Sequence, residues 1–160
     1  MKPATPRRAR RKASERPIYV LNGPNLNRLG TREPDVYGTT TLAEIEAQCR
    51  REAGARAVVF RQSNSEAEII GWIHEAVDAA CAIVINPAAL SFTSVAMLDA
   101  LKMFDGPIVE VHISNIHRRE AIYHHSLVSP VATAVIAGLG ARGYRAAIQA
   151  LGEICAAADR

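Results

Sequence analysis

From Pro17 onward, short apolar runs alternate with segments in which apolar residues recur at helical spacing. The runs read "IYVLN", "AVVF", "AIVIN", "PIVEVHI" and "VATAVIAG". Short runs that are apolar almost throughout are typical of parallel strands, which are buried on both faces of the sheet. The pattern therefore predicts five buried strands.

The segments between the runs predict amphipathic helices. In "TTTLAEIEAQCRREAGA" one apolar stripe is formed by Leu42, Ile45, Cys49 and Ala53, and Thr40 or Thr41 is placed to cap the helix. In "SEAEIIGWIHEAVDAAC" Ser65 and Glu68 have the spacing of a capping box. Two further helices are predicted in "SVAMLDALKMF" and "ARGYRAAIQALGEICAAA".

Strands that alternate with helices predict an α/β fold whose parallel sheet is covered by helices on both faces. Five strands of this length predict a flavodoxin-like, doubly wound sheet in a three-layer αβα arrangement. We expect one domain over residues 17–160. Folds of this kind place their sites in the crevice beyond the carboxyl ends of the strands.

The positive net charge is concentrated at the start of the chain. Residues 1–17 hold seven Lys or Arg and one Glu, a net of +6, while the other 143 residues hold twelve and fifteen, a net of −3, which together give +3. Residues 1–16 have too few apolar side chains to pack and are predicted to be a disordered basic tail. The run "RRARRK" also suits an acidic surface or nucleic acid, but a solvated tail is the preferred interpretation.

Composition also limits the compartment and the role of the cysteines. No apolar run approaches the roughly 18 residues of a membrane span, and "MKPATPRRARRKASERP" lacks the apolar stretch of a secretory signal. We therefore expect a cytoplasmic protein with no membrane partner. Cys49, Cys81 and Cys155 fit neither a disulfide framework nor a zinc pattern and are predicted to be plain buried or partly buried thiols.

Polar and ionisable side chains crowd the segments that leave the strand ends. These segments read "NGPNLNRLGTREPDVYG", "RQSNSE", "NPAALSFTS" and "HISNIHRRE". They carry Asn25, Arg32, Tyr37, Asn64, Asn86, His112, Ser114, Asn115, His117 and Arg119. Because the carboxyl ends of parallel strands meet at one edge of the sheet, a functional site is predicted there.

A tyrosine close to an arginine suggests a phenolate that acts as a base. A free phenol is almost fully protonated at neutral pH, but a guanidinium within about 4–6 Å favours the anion. Arg32 lies five residues before Tyr37 and is near enough if the loop folds over the site. Pro34 stiffens that loop, and Gly30 and Gly38 bracket it as hinges. A surface loop with a tyrosine at its tip is the alternative.

The run "VEVHIS" suggests a general acid. Glu110 and His112 are two residues apart, which in a strand places both side chains on the same face of the sheet. A carboxylate beside an imidazole fixes its tautomer and supports proton donation, although a purely structural histidine is the alternative. At the strand exit, Ser114 and Asn115 offer backbone N–H groups and a hydroxyl to a carboxylate.

The sequence offers no clear metal or dinucleotide motif, and a flavin carrier is only a weak alternative. His117, His124 and His125 share no ligand-like spacing with a cysteine or a carboxylate. The chain has no G-x-G-x-x-G motif for a dinucleotide, and "SNSE" is unlike a flavin phosphate cradle.

Five stretches together strongly resemble the type II 3-dehydroquinate dehydratases. They are "LNGPNLNRLGTREPDVYG", "RQSNSEAEIIGWIHEA", "INPAALSFTSVAMLDAL", "VEVHISNIHRRE" and "SPVATAVIAGLGARGY", in unbroken order from about Pro17 to Leu151. The resemblance implies a lyase that dehydrates 3-dehydroquinate to 3-dehydroshikimate through an enolate with anti loss of water. It implies the shikimate pathway or quinate catabolism, no cofactor, and a homododecamer that is a tetramer of trimers.

The resemblance also implies catalytic roles for individual residues. Tyr37 would remove the proton beside the ketone, and Arg32 would keep Tyr37 ionised. His112 would protonate the departing hydroxyl with Glu110 behind it, and Asn25 would help hold the water that stabilises the enolate oxygen.

The implied substrate contacts are intact at some positions and altered at others. Those that match the family are Asn86, Ile113 and Ser114, with Asp99 arriving from a neighbouring subunit. Phe92 stands where the family normally has a histidine that contacts the substrate, and Tyr123 where it has an arginine that contacts a ring hydroxyl. We therefore expect a dehydratase with an altered substrate clamp. The alternatives are a relative that acts on a related cyclic hydroxy-keto acid and a catalytically idle binding or structural subunit.

Overall fold

The computed structural model describes residues 16–160 and contains a five-stranded parallel sheet between two layers of helices. The basic tail predicted for residues 1–16 lies, apart from Arg16, outside the described residues. The strands are β1 (Ile18–Asn22), β2 (Val58–Gln62), β3 (Ala82–Asn86), β4 (Ile108–His112) and β5 (Ala134–Ala137). The helices are α1 (Pro34–Tyr37), α2 (Leu42–Ala53), α3 (Glu66–Ala79), α4 (Val95–Leu101) and α5 (Arg142–Ala158).

The strand order is β2-β1-β3-β4-β5, and every neighbouring pair is parallel. This is the flavodoxin-like order, in which β2 is added on one side of β1 and β3, β4 and β5 are added on the other, so the switch point of the strand order lies between β1 and β3. The predicted α/β fold is therefore confirmed. Of the helices within residues 16–160, none is both long and apolar enough to cross a membrane.

Two apolar layers hold the helices against the sheet. On one face α2 and α5 pack on side chains such as Val20, Val84 and Val111, and on the other face α3 and α4 pack on Leu21 and Ile85. Consecutive residues of each strand alternate between the two layers because strand side chains have a period of two. The three-layer arrangement follows directly from this alternation.

Helix starts follow the predicted chemistry only in part. Thr41 and Glu44 form a complete capping box at the start of α2. At α3, Ser65 accepts a hydrogen bond from the backbone N–H of Glu68, but the Glu68 carboxylate instead accepts a hydrogen bond from the Ser63 hydroxyl. The predicted capping box at Ser65 is therefore only half formed, because a second serine competes for the carboxylate.

A close backbone approach joins the segments that follow β1 and β3. The N–H of Gly23 donates to the carbonyl oxygen of Asn86 at 2.8 Å. A Cβ atom at Gly23 would lie 2.3 Å from the carbonyl oxygen of Pro87, so only glycine fits there. This contact draws the two segments together at the carboxyl edge of the sheet.

Candidate active site

A pocket opens at the carboxyl edge of the sheet, where the strand-end segments meet. Of the residues predicted to act in catalysis or substrate binding, all except Glu110 and Asp99 line it, namely Asn25, Arg32, Tyr37, Asn86, Phe92, His112, Ile113, Ser114 and Tyr123. Of the other strand-end residues, Arg119 lines it too, whereas Asn64, Asn115 and His117 do not. Glu110 lies behind His112, and Asp99 is exposed on α4. The placement rule for doubly wound sheets therefore located the pocket correctly.

Unusual backbone conformations are concentrated around this pocket. Within residues 16–160, the non-glycine residues with positive φ are Asn25 (70°), Glu33 (37°) and Ala88 (52°). Asn25 and Ala88 line the pocket, and Glu33 precedes the turn that carries Tyr37. Such conformations cost on the order of 1–3 kcal/mol each and tend to occur at functional sites.

Tyr37 lies at the end of a single helical turn, with Pro34 at its first position and Gly38 after it. The segment is thus more ordered than the predicted loop. The guanidinium of Arg119 donates from Nη1 to the Tyr37 hydroxyl at 3.1 Å. The Cζ atom of Arg32 lies 5.2 Å from the centre of the Tyr37 ring, and its Nε donates to Glu33 at 3.1 Å. Two cations therefore flank the ring, and Arg119 makes the hydrogen bond to its oxygen.

Arg119 is itself held in place from two sides. Its Cζ atom lies 4.1 Å from the centre of the Tyr123 ring, within the range of a cation–π contact. Its backbone carbonyl accepts a hydrogen bond from Nε2 of His124 at 2.7 Å. The sequence placed Arg119 among the strand-end segments without a specific role. Its position after β4, at the same sheet edge as Tyr37, was the available signal.

His112 and Glu110 form a buried pair on β4. Nε2 of His112 donates to Oε1 of Glu110 at 2.7 Å, with His112 5% and Glu110 0% exposed. The hydroxyls of Ser126 and Ser129 also donate to the Glu110 carboxylate. Because Nε2 is engaged by Glu110, Nδ1 is the ring nitrogen that remains to exchange a proton with a bound molecule.

The surroundings of Glu110 favour its charged form. Burial opposes the carboxylate, but the hydrogen bonds from His112, Ser126 and Ser129 together outweigh burial and hold the pKa of Glu110 below its ordinary value. In the unfolded chain a glutamate titrates at roughly pH 4.3. The carboxylate therefore stabilises the fold fully above about pH 4.3, and this contribution is lost as the pH falls through the lower folded-state pKa.

Glu110→Gln is expected to lower the free energy of unfolding near neutral pH, with a difference from the parent protein that shrinks in acid. The glutamine cannot ionise, so only the parent protein loses this stabilisation on protonation. Urea unfolding of both proteins from about pH 3 to about pH 7 measures the difference. Glu153→Gln, at an exposed carboxylate on α5, is the control. A difference for Glu110→Gln that does not change with pH would contradict the interpretation.

A second buried network fixes Asn86 at the floor of the pocket. Its amide Nδ2 donates to the Tyr144 hydroxyl at 2.9 Å, and its Oδ1 accepts from the backbone N–H of Ala88 at 3.2 Å. The Tyr144 hydroxyl donates in turn to Oδ1 of Asn22 at 2.7 Å. Burial raises the pKa of Tyr144, so its hydroxyl keeps its proton and remains a donor. Asn86 is therefore held in one orientation without a ligand.

Phe92 and Tyr123 form an aromatic wall between the two ionisable groups. The Phe92 ring stacks on His112 with centroids 6.1 Å apart and meets Tyr123 edge-on at 5.4 Å. Tyr123 then contacts Arg119, the partner of Tyr37. The wall thus runs from the histidine to the cation beside the tyrosine, and it presents carbon atoms and one neutral hydroxyl to the pocket.

Among residues 16–160, no amine lines the pocket in a position to form an imine with a ligand. Lys102 is the one lysine within residues 16–160; it is 56% exposed, pairs with Asp99 at 3.2 Å and does not line the pocket. Across the same residues, no group of three or more His, Cys, Asp or Glu side chains is arranged to hold a metal ion. The described groups that can move protons in the pocket are thus hydroxyl and imidazole groups.

Comparisons with known proteins agree with this geometry. The family model described as "Dehydroquinase class II" matches residues 16–152. A 3-dehydroquinate dehydratase of Streptomyces coelicolor is 54% identical over 150 residues, covering 92% of this chain and 96% of the relative, and one of Streptomyces avermitilis is 59% identical over 136 residues, covering 83% and 86%. The crystal structure of type II dehydroquinase from Propionibacterium acnes superposes with a TM-score of 0.84 at 48% identity, covering 87% of this chain and 97% of that one.

Proposed function

Since the chain belongs to the class II dehydroquinase family and is an enzyme of this type, we propose that it dehydrates 3-dehydroquinate to 3-dehydroshikimate by anti elimination through an enolate. One observation carries the proposal. A tyrosine hydroxyl bonded to a guanidinium and a histidine bonded to a buried carboxylate line the same pocket.

Tyr37 is the base of the proposed reaction. The phenolate removes a proton from the ring carbon beside the ketone. The C–H electron pair forms a double bond to the carbonyl carbon, and the carbonyl π electrons move onto the oxygen to give an enolate. Arg119 supports this step because a hydrogen bond from a cation favours the phenolate over the phenol. Arg32 adds a second positive charge near the ring.

His112 is the acid. As the enolate collapses and the new carbon–carbon double bond forms, the carbon–oxygen bond to the neighbouring hydroxyl breaks and protonated His112 donates its proton to that oxygen. The products are 3-dehydroshikimate and one water. Tyr37 then releases its proton to solvent and His112 takes one up from solvent, so both groups return to their starting protonation states. Glu110 stabilises the positive charge of the imidazole before the transfer.

The remaining pocket residues bind the substrate and the enolate in this proposal. Asn86 is fixed by Tyr144 and Ala88, so its amide group is already oriented before a ligand binds. Ile113 and Ser114 follow β4 and are assigned to the substrate carboxylate. Asn25 is assigned to the water that stabilises the enolate oxygen.

We propose that Asp99 acts in the pocket of a neighbouring subunit, within a homododecamer built as a tetramer of trimers. Its side chain is 68% exposed and does not line the pocket of its own chain. Such a placement suits a residue that reaches another copy. If the protein sediments as a monomer in analytical ultracentrifugation at the concentrations of the activity assay, this part of the proposal is contradicted.

Phe92 and Tyr123 are proposed to weaken the substrate clamp without removing the acid and the base. A hydrogen bond to a charged group contributes about 1.5–3 kcal/mol. The aromatic wall provides neither the histidine nor the arginine that the family normally has at these two positions. The proposed outcome is a raised Michaelis constant with the proton-transfer groups intact.

The test is a turnover assay with 3-dehydroquinate as substrate. We expect the conjugated enone of 3-dehydroshikimate to appear as an increase in ultraviolet absorbance, with product identity checked by mass spectrometry. A panel of related cyclic hydroxy-keto acids tests the substrate class. If a panel member is turned over faster than 3-dehydroquinate, that compound and not 3-dehydroquinate is the preferred substrate. If folded, assembled protein turns over none of the compounds, the enzymatic proposal is contradicted.

A further inference from the structure

Two cysteines from distant parts of the chain face each other at the edge of the sheet opposite the pocket. Cys81 immediately precedes β3, and Cys155 lies in the last turns of α5, 74 residues later. The two Sγ atoms are 2.9 Å apart. Both are free thiols, as is Cys49, which is buried on α2. The sequence predicted three plain buried or partly buried thiols, and the structure brings two of them into contact.

A guanidinium completes this cysteine cluster. Nη1 of Arg56 lies 3.5 Å from Sγ of Cys81, and Nη2 pairs with the Asp159 carboxylate at 2.7 Å. The arginine and the aspartate are only 13% and 14% exposed. A largely buried cation is thus held against one sulfur by an acid just beyond α5.

The two thiols differ in acidity. The S–H of Cys155, together with Arg56, outweighs burial and holds the pKa of Cys81 below its ordinary value. The pKa of Cys155 is raised, because its proton is held by Cys81 and because burial disfavours its charge. Cys81 is also partly exposed while Cys155 is 3% exposed. A thiolate beside a cation with access to solvent is the reactive form of cysteine.

We propose that Cys81 and Cys155 are an oxidation site at which hydrogen peroxide produces an intramolecular disulfide. The Cys81 thiolate attacks one peroxide oxygen and the O–O bond breaks, which leaves Cys81 as a sulfenic acid and releases hydroxide. The Cys155 sulfur then attacks the Cys81 sulfur, the S–O bond breaks and water leaves. Two thiols and one peroxide give one disulfide and two waters, so the thiols are oxidised by two electrons and the peroxide is reduced by two.

The separation of the two sulfurs is already close to that of a disulfide. A disulfide needs its sulfurs at about 2.05 Å, which is less than 1 Å from their present separation of 2.9 Å. The new bond would tie the end of α5 to the start of β3. Because the pocket lies at the other end of the strands, kcat/KM is expected to be unchanged. The cross-link restricts the unfolded chain, so the melting temperature is expected to rise by roughly 5–15 °C.

The experiment treats the reduced full-length protein with hydrogen peroxide, alkylates the remaining thiols under denaturing conditions and maps peptides by mass spectrometry. We expect a peptide pair joined through Cys81 and Cys155, the loss of two hydrogens, an alkylated Cys49, and reversal by dithiothreitol. Recovery of both thiols, a sulfinic acid on Cys81 beside a reduced Cys155, or cross-links only between chains would overturn the proposal.

Variants separate the roles of the three thiols. Cys49→Ala is expected to retain both the cross-link and the rise in melting temperature, whereas Cys81→Ser and Cys155→Ser lose both. Arg56→Met is expected to slow disulfide formation about 10-fold, because the thiolate loses its cation. Unchanged kinetics in folded Arg56→Met would contradict the assigned role of the arginine. The peptide map of the parent protein still decides the site if a variant does not fold.

Discussion

Tyr37→Phe is expected to reduce kcat for 3-dehydroquinate by roughly 10²–10⁴, the range typical of general acid–base groups. The substitution removes one oxygen and keeps the ring between Arg32 and Arg119. The partly buried Tyr37 ring packs against one core cluster, and phenylalanine keeps that ring, so the melting temperature should change little. Steady-state kinetics and thermal unfolding of the same preparation measure both effects.

Tyr19→Phe is the matched control for the loss of a phenolic oxygen. Tyr19 is buried in the sheet and its hydroxyl donates to Glu75 at 2.9 Å, away from the pocket. This variant should lose some stability and keep its turnover, the reverse of Tyr37→Phe. If Tyr37→Phe retains most of its rate, Tyr37 is not the base.

Restoring the residues implied by the family, with Phe92→His and Tyr123→Arg together, is expected to raise kcat/KM by roughly 10-fold or more, or about 1.4 kcal/mol of transition-state binding. The reason is the return of two polar donors to a wall that now presents mostly carbon. The gain should appear mainly as a lower Michaelis constant, because the proton-transfer groups are unchanged. Initial rates over a range of 3-dehydroquinate concentrations separate the two parameters.

The single variants should behave differently from each other. Tyr123→Arg removes the ring that lies 4.1 Å from Arg119 and adds a like charge beside it, so alone it should gain less than Phe92→His. The two sites contact one another, so the effects need not add. Tyr123→Phe keeps the ring and serves as the control. If the parent protein and the double variant are both inert, the idle-subunit alternative holds, and if the double variant loses a preference for another ring acid, the wall determines specificity.

The elements of the fold could be predicted because local pattern and tertiary burial agree. The strand predicted from the run "AVVF" continues in the structure to Gln62. The polar Arg61 is accommodated in this strand because its guanidinium pairs with Glu75 on α3. The predicted run "VATAVIAG" is shortened to Ala134–Ala137, because a 3-10 turn occupies Ser129–Val131 just before the edge strand. Both errors occur in edge strands, where burial is incomplete and the apolar pattern is weakest.

The site could be predicted only as far as a sheet-edge rule and short-range spacing reach. Glu110 and His112 are two residues apart, so their shared face was visible in the sequence. The contact of Arg119 with Tyr37 spans 82 residues, and the contact of Cys155 with Cys81 spans 74. Such pairings depend on how loops and helix ends meet in three dimensions, and no local pattern encodes them.

The serine contacts of Glu110 have a consequence for how this enzyme tolerates mutation. Ser126 and Ser129 belong to the segment after β4 that also carries Arg119. The Glu110 carboxylate is therefore bonded both to His112 and to the far end of the segment whose Arg119 contacts Tyr37. Substitutions in this set should show epistasis: losing one serine would change the effect of altering His112. We therefore expect that substitutions at these positions are tolerated mainly in combination, with a change at one position accompanied by a compensating change at another.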